Sequence, residues 1–193
     1  KLFFFVNFEY TKTPTEVNLW RPSEDGEWNE DLKISRTTKE DMQKVKDHLM
    51  TKYGYDPGSY TEYPANESNR KFLARIDWNI NKNHKLMFRY QLMNAESDSY
   101  KSGSSVYYFA NSGYQQTTMN NIAVLELNSR LSDMVTNEFR ASAVIVREHR
   151  DVAYGGATVR IKGFGSLSDV YIGSEQNSGA NVVNTDTYNV SDN

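Results

Sequence analysis

The stretch Arg70–Asn94, RKFLARIDWNINKNHKLMFRYQLMN, decides the fold class of this chain. Apolar residues occupy every second position on either side of a short polar segment at 81–84. Successive side chains of a β-strand point to opposite faces, so the pattern predicts a hairpin with one apolar and one polar face. The apolar set is Phe72, Ala74, Ile76, Trp78, Ile80, Leu86, Phe88, Tyr90 and Leu92. The polar set is Lys71, Arg75, Asp77, Asn79, Arg89 and Gln91.

The same alternation recurs along the chain and predicts five strands. They cover about residues 2–12, 70–80, 85–94, 121–130 and 136–147, and the long loops between and after them cover 13–69, 95–120 and 148–187. Long and short connections alternate, so both short turns lie at one end of the sheet and all long loops at the other. Outer-membrane barrels have this arrangement, with short periplasmic turns and long outer loops. We therefore predict an all-β, antiparallel up-and-down meander that is part of a transmembrane β-barrel.

The pattern leaves a second fold open, a soluble or surface-attached all-β module that binds a glycan or a peptide. The two folds differ in what covers the apolar face of the hairpin. In a barrel, residues such as Phe72, Trp78 and Phe88 face lipid. In a sandwich they are buried against a second sheet.

Composition excludes several classes of protein. A net charge of −3 offers no basic surface to nucleic acid, and the absence of cysteine excludes disulfides, thiolate zinc sites and cysteine nucleophiles. No apolar run approaches the ~18 residues of a transmembrane helix. The chain starts at Lys1 without an initiator methionine and stops at Asn193 without a terminal element, which is typical of a piece of a longer protein.

One helix is predicted in the first long loop, near residues 38–53. Thr37 followed by Glu40 forms a capping box, and Met42, Val45 and Leu49 recur at helical spacing. Gly54 marks the end of the helix.

No motif indicates an enzyme, a metal site or a cofactor. The histidines His48, His84 and His149 lack ligand spacing, and no G-x-S-x-G elbow or phosphate-binding glycine loop occurs. The acidic residues near 24–31 do not follow the calcium-loop pattern.

Aromatic residues in the long loops are the candidates for ligand binding. Rings set among serine, glycine and asparagine offer contact area at low entropic cost, which suits glycans or peptides. The candidates are Trp20, Trp28, Tyr107, Tyr108 and Tyr114. The alternative is that these rings pack the loops against each other.

Several segments together resemble TonB-dependent outer-membrane receptors, and more specifically their Oar-like branch. The run KLFFFVNFE at 1–9 resembles the first barrel strand of that branch. The other similar segments are YGYDPG at 53–58, FLARIDWNI at 72–80 with HKL at 84–86, NSRLS at 128–132, and YNVSDN at 188–193, which resembles the opening of a sixth strand.

The resemblance implies a ~22-stranded barrel, closed by an N-terminal plug, in the outer membrane of a Gram-negative cell. The plug, the energy-coupling box and the closing strand of the family have no counterpart here, so residues 1–193 correspond to part of the wall and three outer loops. The implied partners are outer-membrane lipid, an inner-membrane energy-coupling complex reached through the plug, and a surface lipoprotein. The implied ligand is large: a glycan, a peptide or a siderophore-like compound.

Overall fold

The computed structural model describes residues 1–15, 17, 19–63, 65–164, 168–179 and 181–193. The elements are β1 (Leu2–Thr15), β2 (Arg21–Ser23), β3 (Ile34–Thr38), α1 (Lys39–Tyr53), β4 (Ala65–Asn79), β5 (His84–Ser99), β6 (Val106–Tyr108), β7 (Tyr114–Arg130), β8 (Thr136–Val152), β9 (Thr158–Phe164), β10 (Ser168–Gly173) and β11 (Val182–Asp192).

Six long strands form one sheet, which we call the wall sheet. Its order is β1-β4-β5-β7-β8-β11, and every neighbouring pair is antiparallel. The β4–β5 and β7–β8 connections are short and lie at one end, whereas the other three connections are long and lie at the opposite end. The predicted antiparallel up-and-down meander with one loop helix is therefore confirmed.

The strands extend further toward the long loops than the alternation predicts. β7 begins at Tyr114 instead of near 121, and β8 ends at Val152 instead of near 147. β11 begins at Val182, inside the predicted loop 148–187, and pairs with β8 over its whole length. Its second half, 188–192, coincides with the segment that resembles the opening of a sixth strand. These strand ends carry polar residues on both faces, so backbone pairing continues where the hydrophobic pattern no longer marks it.

The strand register places the apolar residues on one face of the wall sheet. One row across all six strands reads Phe4, Ile76, Phe88, Leu125, Ala141 and Val190. Phe4 is 81% exposed and Val190 73% exposed. Because no second sheet covers this face in the part of the chain that the structure describes, the sandwich alternative lacks its core.

The opposite face of the wall sheet, which we call the polar face, carries charges of both signs together with a few apolar residues such as Phe5, Leu73 and Val124. Lys71 pairs with Glu9 on the neighbouring strand at 2.8 Å, and Arg75 pairs with Asp77 on its own strand at 2.7 Å. Exposed pairs of this kind stabilise a fold by ~0–1 kcal/mol each. The two faces therefore suit two different environments, one apolar and one aqueous.

Helix α1 begins one residue later than predicted. Thr38, not Thr37, is the N-cap, and its Oγ1 accepts a hydrogen bond from the Asp41 N–H at 3.1 Å. Thr37 is fully buried at the end of β3. Gly54 ends the helix, as predicted, and it has a left-handed conformation with φ of 63°. No helix among the described residues is long and apolar enough to cross a membrane.

The three long connections fold together into one unit, which we call the loop cap (the described residues of 16–64, 100–113 and 153–181). It contains α1, a small sheet of β2 and β3, and a second small sheet ordered β6-β10-β9. The cap has a hydrophobic core of its own, formed by Met42, Val45, Tyr107, Phe109, Val170 and Ile172. The segments predicted as polar loops are thus a packed domain seated on one end of the wall sheet.

Candidate ligand-binding site

Parallel pairing of β6 with β10 joins the second and third long connections. Tyr107 lies opposite Val170 in this ladder, and both side chains are fully buried. Helix α1 from the first connection adds Met42 and Val45 to the same cluster. All three connections therefore contribute to one core, and the surface of the cap is positioned by packed elements.

An ion pair adds a polar link between the second and third connections. Lys101 Nζ lies 2.6 Å from the carboxylate of Glu175, whose side chain is 2% exposed. Burial raises the pKa of Glu175, but the hydrogen bonds from Lys101 and from the Asn177 N–H outweigh burial and hold the pKa below its usual range. The carboxylate is therefore charged at neutral pH, and it cannot leave its partners without loss of stability.

Tyr107, one of the predicted ligand-binding residues, lies in the core of the cap. Its side chain is 0% exposed, and burial raises the pKa of its phenol. A ring in this place is not accessible to a ligand, so Tyr107 packs the cap. Tyr108, the next residue, is not in this core, because β6 directs successive side chains to opposite faces.

Tyr108 is part of an aromatic group at the edge of the second small sheet. Its ring stacks on that of Tyr171 with centroids 4.8 Å apart, and the Arg160 guanidinium lies 5.5 Å from the Tyr171 centroid. Tyr63 from the first connection donates a hydrogen bond to the Tyr108 carbonyl at 2.8 Å. Tyr108 is half-buried and already has partners within the cap.

Tyr114 stands apart from this group, at the first position of β7. The Arg150 guanidinium on β8 lies 4.8 Å from its ring centroid, and both side chains are on the polar face of the wall sheet. The structure therefore does not bring Tyr114 together with Tyr107 and Tyr108 in a single site.

The two predicted tryptophans do lie together. The rings of Trp20 and Trp28 stack with centroids 6.2 Å apart and planes 18° from parallel. The Ser102 hydroxyl donates to the Trp20 carbonyl at 3.0 Å and ties this segment to the second connection. Trp28 is the outer member, and 45% of its surface is exposed.

A cleft of about 620 Å³ lies beside Trp28. A second cleft of about 490 Å³ shares Arg21, Thr61 and Glu62 with the first. Sequence analysis did not select these three residues, because single polar residues in loops carry no recognisable spacing. Only the fold brings 21–39 and 61–62 together.

A third cleft, of about 440 Å³, lies between the end of α1 and strands β9 and β10. Its lining is mostly apolar and includes Leu49, Tyr55, Tyr154 and Ile172. The rings of Tyr55 and Tyr154 are 4.9 Å apart. Within the described residues, no group of three or more histidine, aspartate or glutamate side chains is arranged to hold a metal ion.

The chain is similar to a known protein family. A family model described as an outer membrane beta barrel domain matches residues 37–193, which is well over half of the chain. No curated protein matches the chain, and no solved structure matches it. The matched range includes α1, five of the six wall strands and most of the loop cap.

Proposed function

The chain belongs to the family of outer membrane beta barrel domains, and from this premise we propose that it is part of a TonB-dependent receptor of the Oar-like branch. The chain lies in the outer membrane, and the apolar face of its wall sheet contacts lipid. In the proposed role the wall sheet and the loop cap belong to an importer that binds a large ligand outside the cell.

The observation that carries the proposal is the asymmetry between the two ends of the wall sheet. One end has two tight turns, whereas the other carries a cap with its own hydrophobic core. Long loops of outer-membrane barrels are extracellular. A packed extracellular cap offers fixed clefts to a ligand, and such preorganisation lowers the entropic cost of binding.

The polar face of the wall sheet supports the same role. In a large barrel this face lines an interior filled by water or by a plug. The paired charges of Lys71 with Glu9 and of Arg75 with Asp77 are compatible with either. The Oar-like branch is proposed because the segments that resemble it occur in the same order, from KLFFF at the start to YNVSDN at the end.

Energised accumulation tests the proposal. Cells with and without the protein would receive labelled oligosaccharides, peptides and ferric siderophores, each with and without a protonophore. We expect one class to accumulate only in cells that have both the protein and a proton-motive force. Accumulation that is the same with and without the protonophore would indicate a passive pore and would contradict the proposal.

The alternative function is binding of a glycan or peptide without import, and one feature of the structure is compatible with it. The clefts lie in the cap, and a cap can retain a ligand at the cell surface whether or not transport follows. In the same assay this alternative predicts retention at the surface, with no accumulation inside the cell under any condition.

A further inference from the structure

Trp28 presents one face of its ring outward from the loop cap. Trp20 stacks behind it, so the ring is supported from within and does not need to be ordered by a ligand. The Ser102 hydroxyl holds the backbone of Trp20, which fixes the pair to the second connection. A rigid aromatic surface of this kind gives contact area to a flat apolar ligand face at low entropic cost.

The cleft beside this ring is lined by polar side chains together with the apolar Pro22 and Ile34. Its lining contains both charge signs together with neutral donors and acceptors: Arg21, Glu24, Asp25, Glu27, Asn29, Lys39, Thr61 and Glu62. Its volume of about 620 Å³ lies in the range of small-molecule sites.

Several of these groups have no strong partner of their own. Arg21 donates only a long bond of 3.4 Å to the Leu32 carbonyl among the contacts within the described residues. In the same part of the chain, no side chain donates a hydrogen bond to the carboxylates of Glu27 and Glu62. Lys39 differs, because it forms an ion pair with Glu24. The cleft therefore holds one guanidinium and two carboxylates that form no ion pair among the described residues, near one aromatic face.

We propose that this cleft binds a neutral oligosaccharide, with one sugar ring on Trp28 and its hydroxyls bonded to Arg21, Glu27 and Glu62. A sugar ring has an apolar C–H face, which suits the indole, and hydroxyls that both donate and accept, which suit a lining of both charge signs. The inference rests on the proposed function, because it names the class of ligand that the receptor binds.

A basic peptide is the competing class of ligand, because carboxylates and an indole also attract organic cations. The four carboxylates of the lining outnumber its two cations, so charge alone does not exclude a cationic ligand. The Arg21 guanidinium argues for the sugar, because its N–H groups need an acceptor and a cationic side chain offers none. Sugar hydroxyls accept from Arg21 and also donate to the carboxylates.

Binding of defined probes to the full-length protein in detergent micelles tests the proposal by calorimetry. The probes are maltohexaose, cellohexaose, xylohexaose and mannohexaose, with hexalysine as the cationic probe. We expect at least one hexasaccharide to bind and hexalysine not to bind. Trp28→Ala should weaken that binding about tenfold or more, as for a central aromatic anchor.

Two further variants separate recognition from folding. Trp28→Phe keeps an aromatic face and should cost about threefold or less, whereas Glu62→Gln keeps the shape and removes a charged acceptor, at a cost of about threefold or more. Tyr154→Ala is the matched control, because this exposed ring lines the third cleft and not the one beside Trp28. It should leave the affinity unchanged.

Three results would overturn the inference: no binding of any hexasaccharide, binding that Trp28→Ala leaves intact, or Trp28-dependent binding of hexalysine. The calorimetric result is independent of transport. Hexasaccharide binding without energised accumulation would support the cleft and contradict import, and import of a peptide or a siderophore without hexasaccharide binding would do the reverse.

Discussion

Glu175 is a buried charge in the loop cap, and its partner Lys101 comes from a different connection. Its pKa is held below the usual glutamate range, so the folded cap binds a proton less readily than the unfolded chain. The pair therefore stabilises the cap fully above the unfolded pKa of about 4.3, and this contribution is lost as pH falls through the lower folded-state pKa.

We expect Glu175→Gln to destabilise the cap at neutral pH by about 1–3 kcal/mol, because the Lys101 ammonium then lacks its carboxylate. In acid, the difference between the variant and the parent protein should shrink. Hydrogen exchange of the β10 amides between pH 7 and pH 3 measures both effects. Glu30→Gln, at an exposed position, is the control and should not change the exchange rates. A constant difference between variant and parent at all pH values would contradict the assignment.

Gly173 is a position where the backbone excludes any side chain. Its φ is +90°, and a Cβ there would overlap the Ala157 carbonyl oxygen. Gly54 also has positive φ, of +63°, but no atom lies within 4 Å of the Cβ position. We expect Gly54→Ala to cost about 1 kcal/mol and Gly173→Ala about 3 kcal/mol or more, since strain and overlap act together. Protease resistance of the folded cap ranks the two variants, and equal resistance would contradict the prediction.

Among elements, the wall strands could be predicted and the small strands of the cap could not. Alternation over Phe72–Trp78 and Leu86–Tyr90 indicates both strands and their common face, because each long strand has one apolar side. At the outer strand ends both faces are polar, so the pattern ends before the strand does. The N-cap of α1 could not be assigned from the sequence for a similar reason. Thr37 and Thr38 are both suitable N-cap residues, and only the burial of Thr37 in β3 selects Thr38.

The two faces of β5 should respond in opposite ways to a new charge. Phe88 lies on the apolar face, and the adjacent Met87 lies on the polar face between Asp77 and Glu126 in the register. Phe88→Arg places a cation in lipid and should cost about 2–4 kcal/mol near the middle of the bilayer. Met87→Arg gains two nearby carboxylates and should be tolerated.

Heat-modifiable mobility and the amount of protein in the outer membrane measure the outcome for this pair of variants. Phe88→Arg should reduce the folded fraction, and Met87→Arg should not. The comparison is matched because the same residue type is introduced at neighbouring positions of one strand. If Met87→Arg were the more damaging change, the assignment of the two faces would be reversed.

At the scale of the whole molecule, the loop cap is the part that sequence analysis missed. Its core combines Met42 with Tyr107 and Val170, which are far apart in the chain, and no single segment carries enough apolar residues to reveal it. In the sequence, Trp20, Trp28 and Tyr107 all lie in polar loop segments, so all three are equally good candidates for ligand binding. Only the packing of β6 against β10 distinguishes the buried ring from the accessible ones.

The shared core predicts that the three long connections lose their structure together. Phe109 is 1% exposed, and its ring packs edge-on against Tyr60 of the first connection at 5.8 Å, while its N–H donates to the Tyr171 carbonyl of the third. Phe109→Ala should remove about 3–5 kcal/mol from the free energy of unfolding of the cap. Hydrogen exchange should then accelerate in α1 and in β9–β10 as well as near residue 109.

The wall sheet should not respond to the same change, because its strands are held by their own ladders and by lipid. We expect heat-modifiable mobility to stay the same in Phe109→Ala and exchange in β4, β5 and β7 to stay slow. Met134→Ala, in the exposed turn at the opposite end, is the control and should alter neither region. Faster exchange confined to 100–113 would show that the connections are independent loops, and the clefts between them would then lack the common support on which ligand binding by a preorganised cap depends.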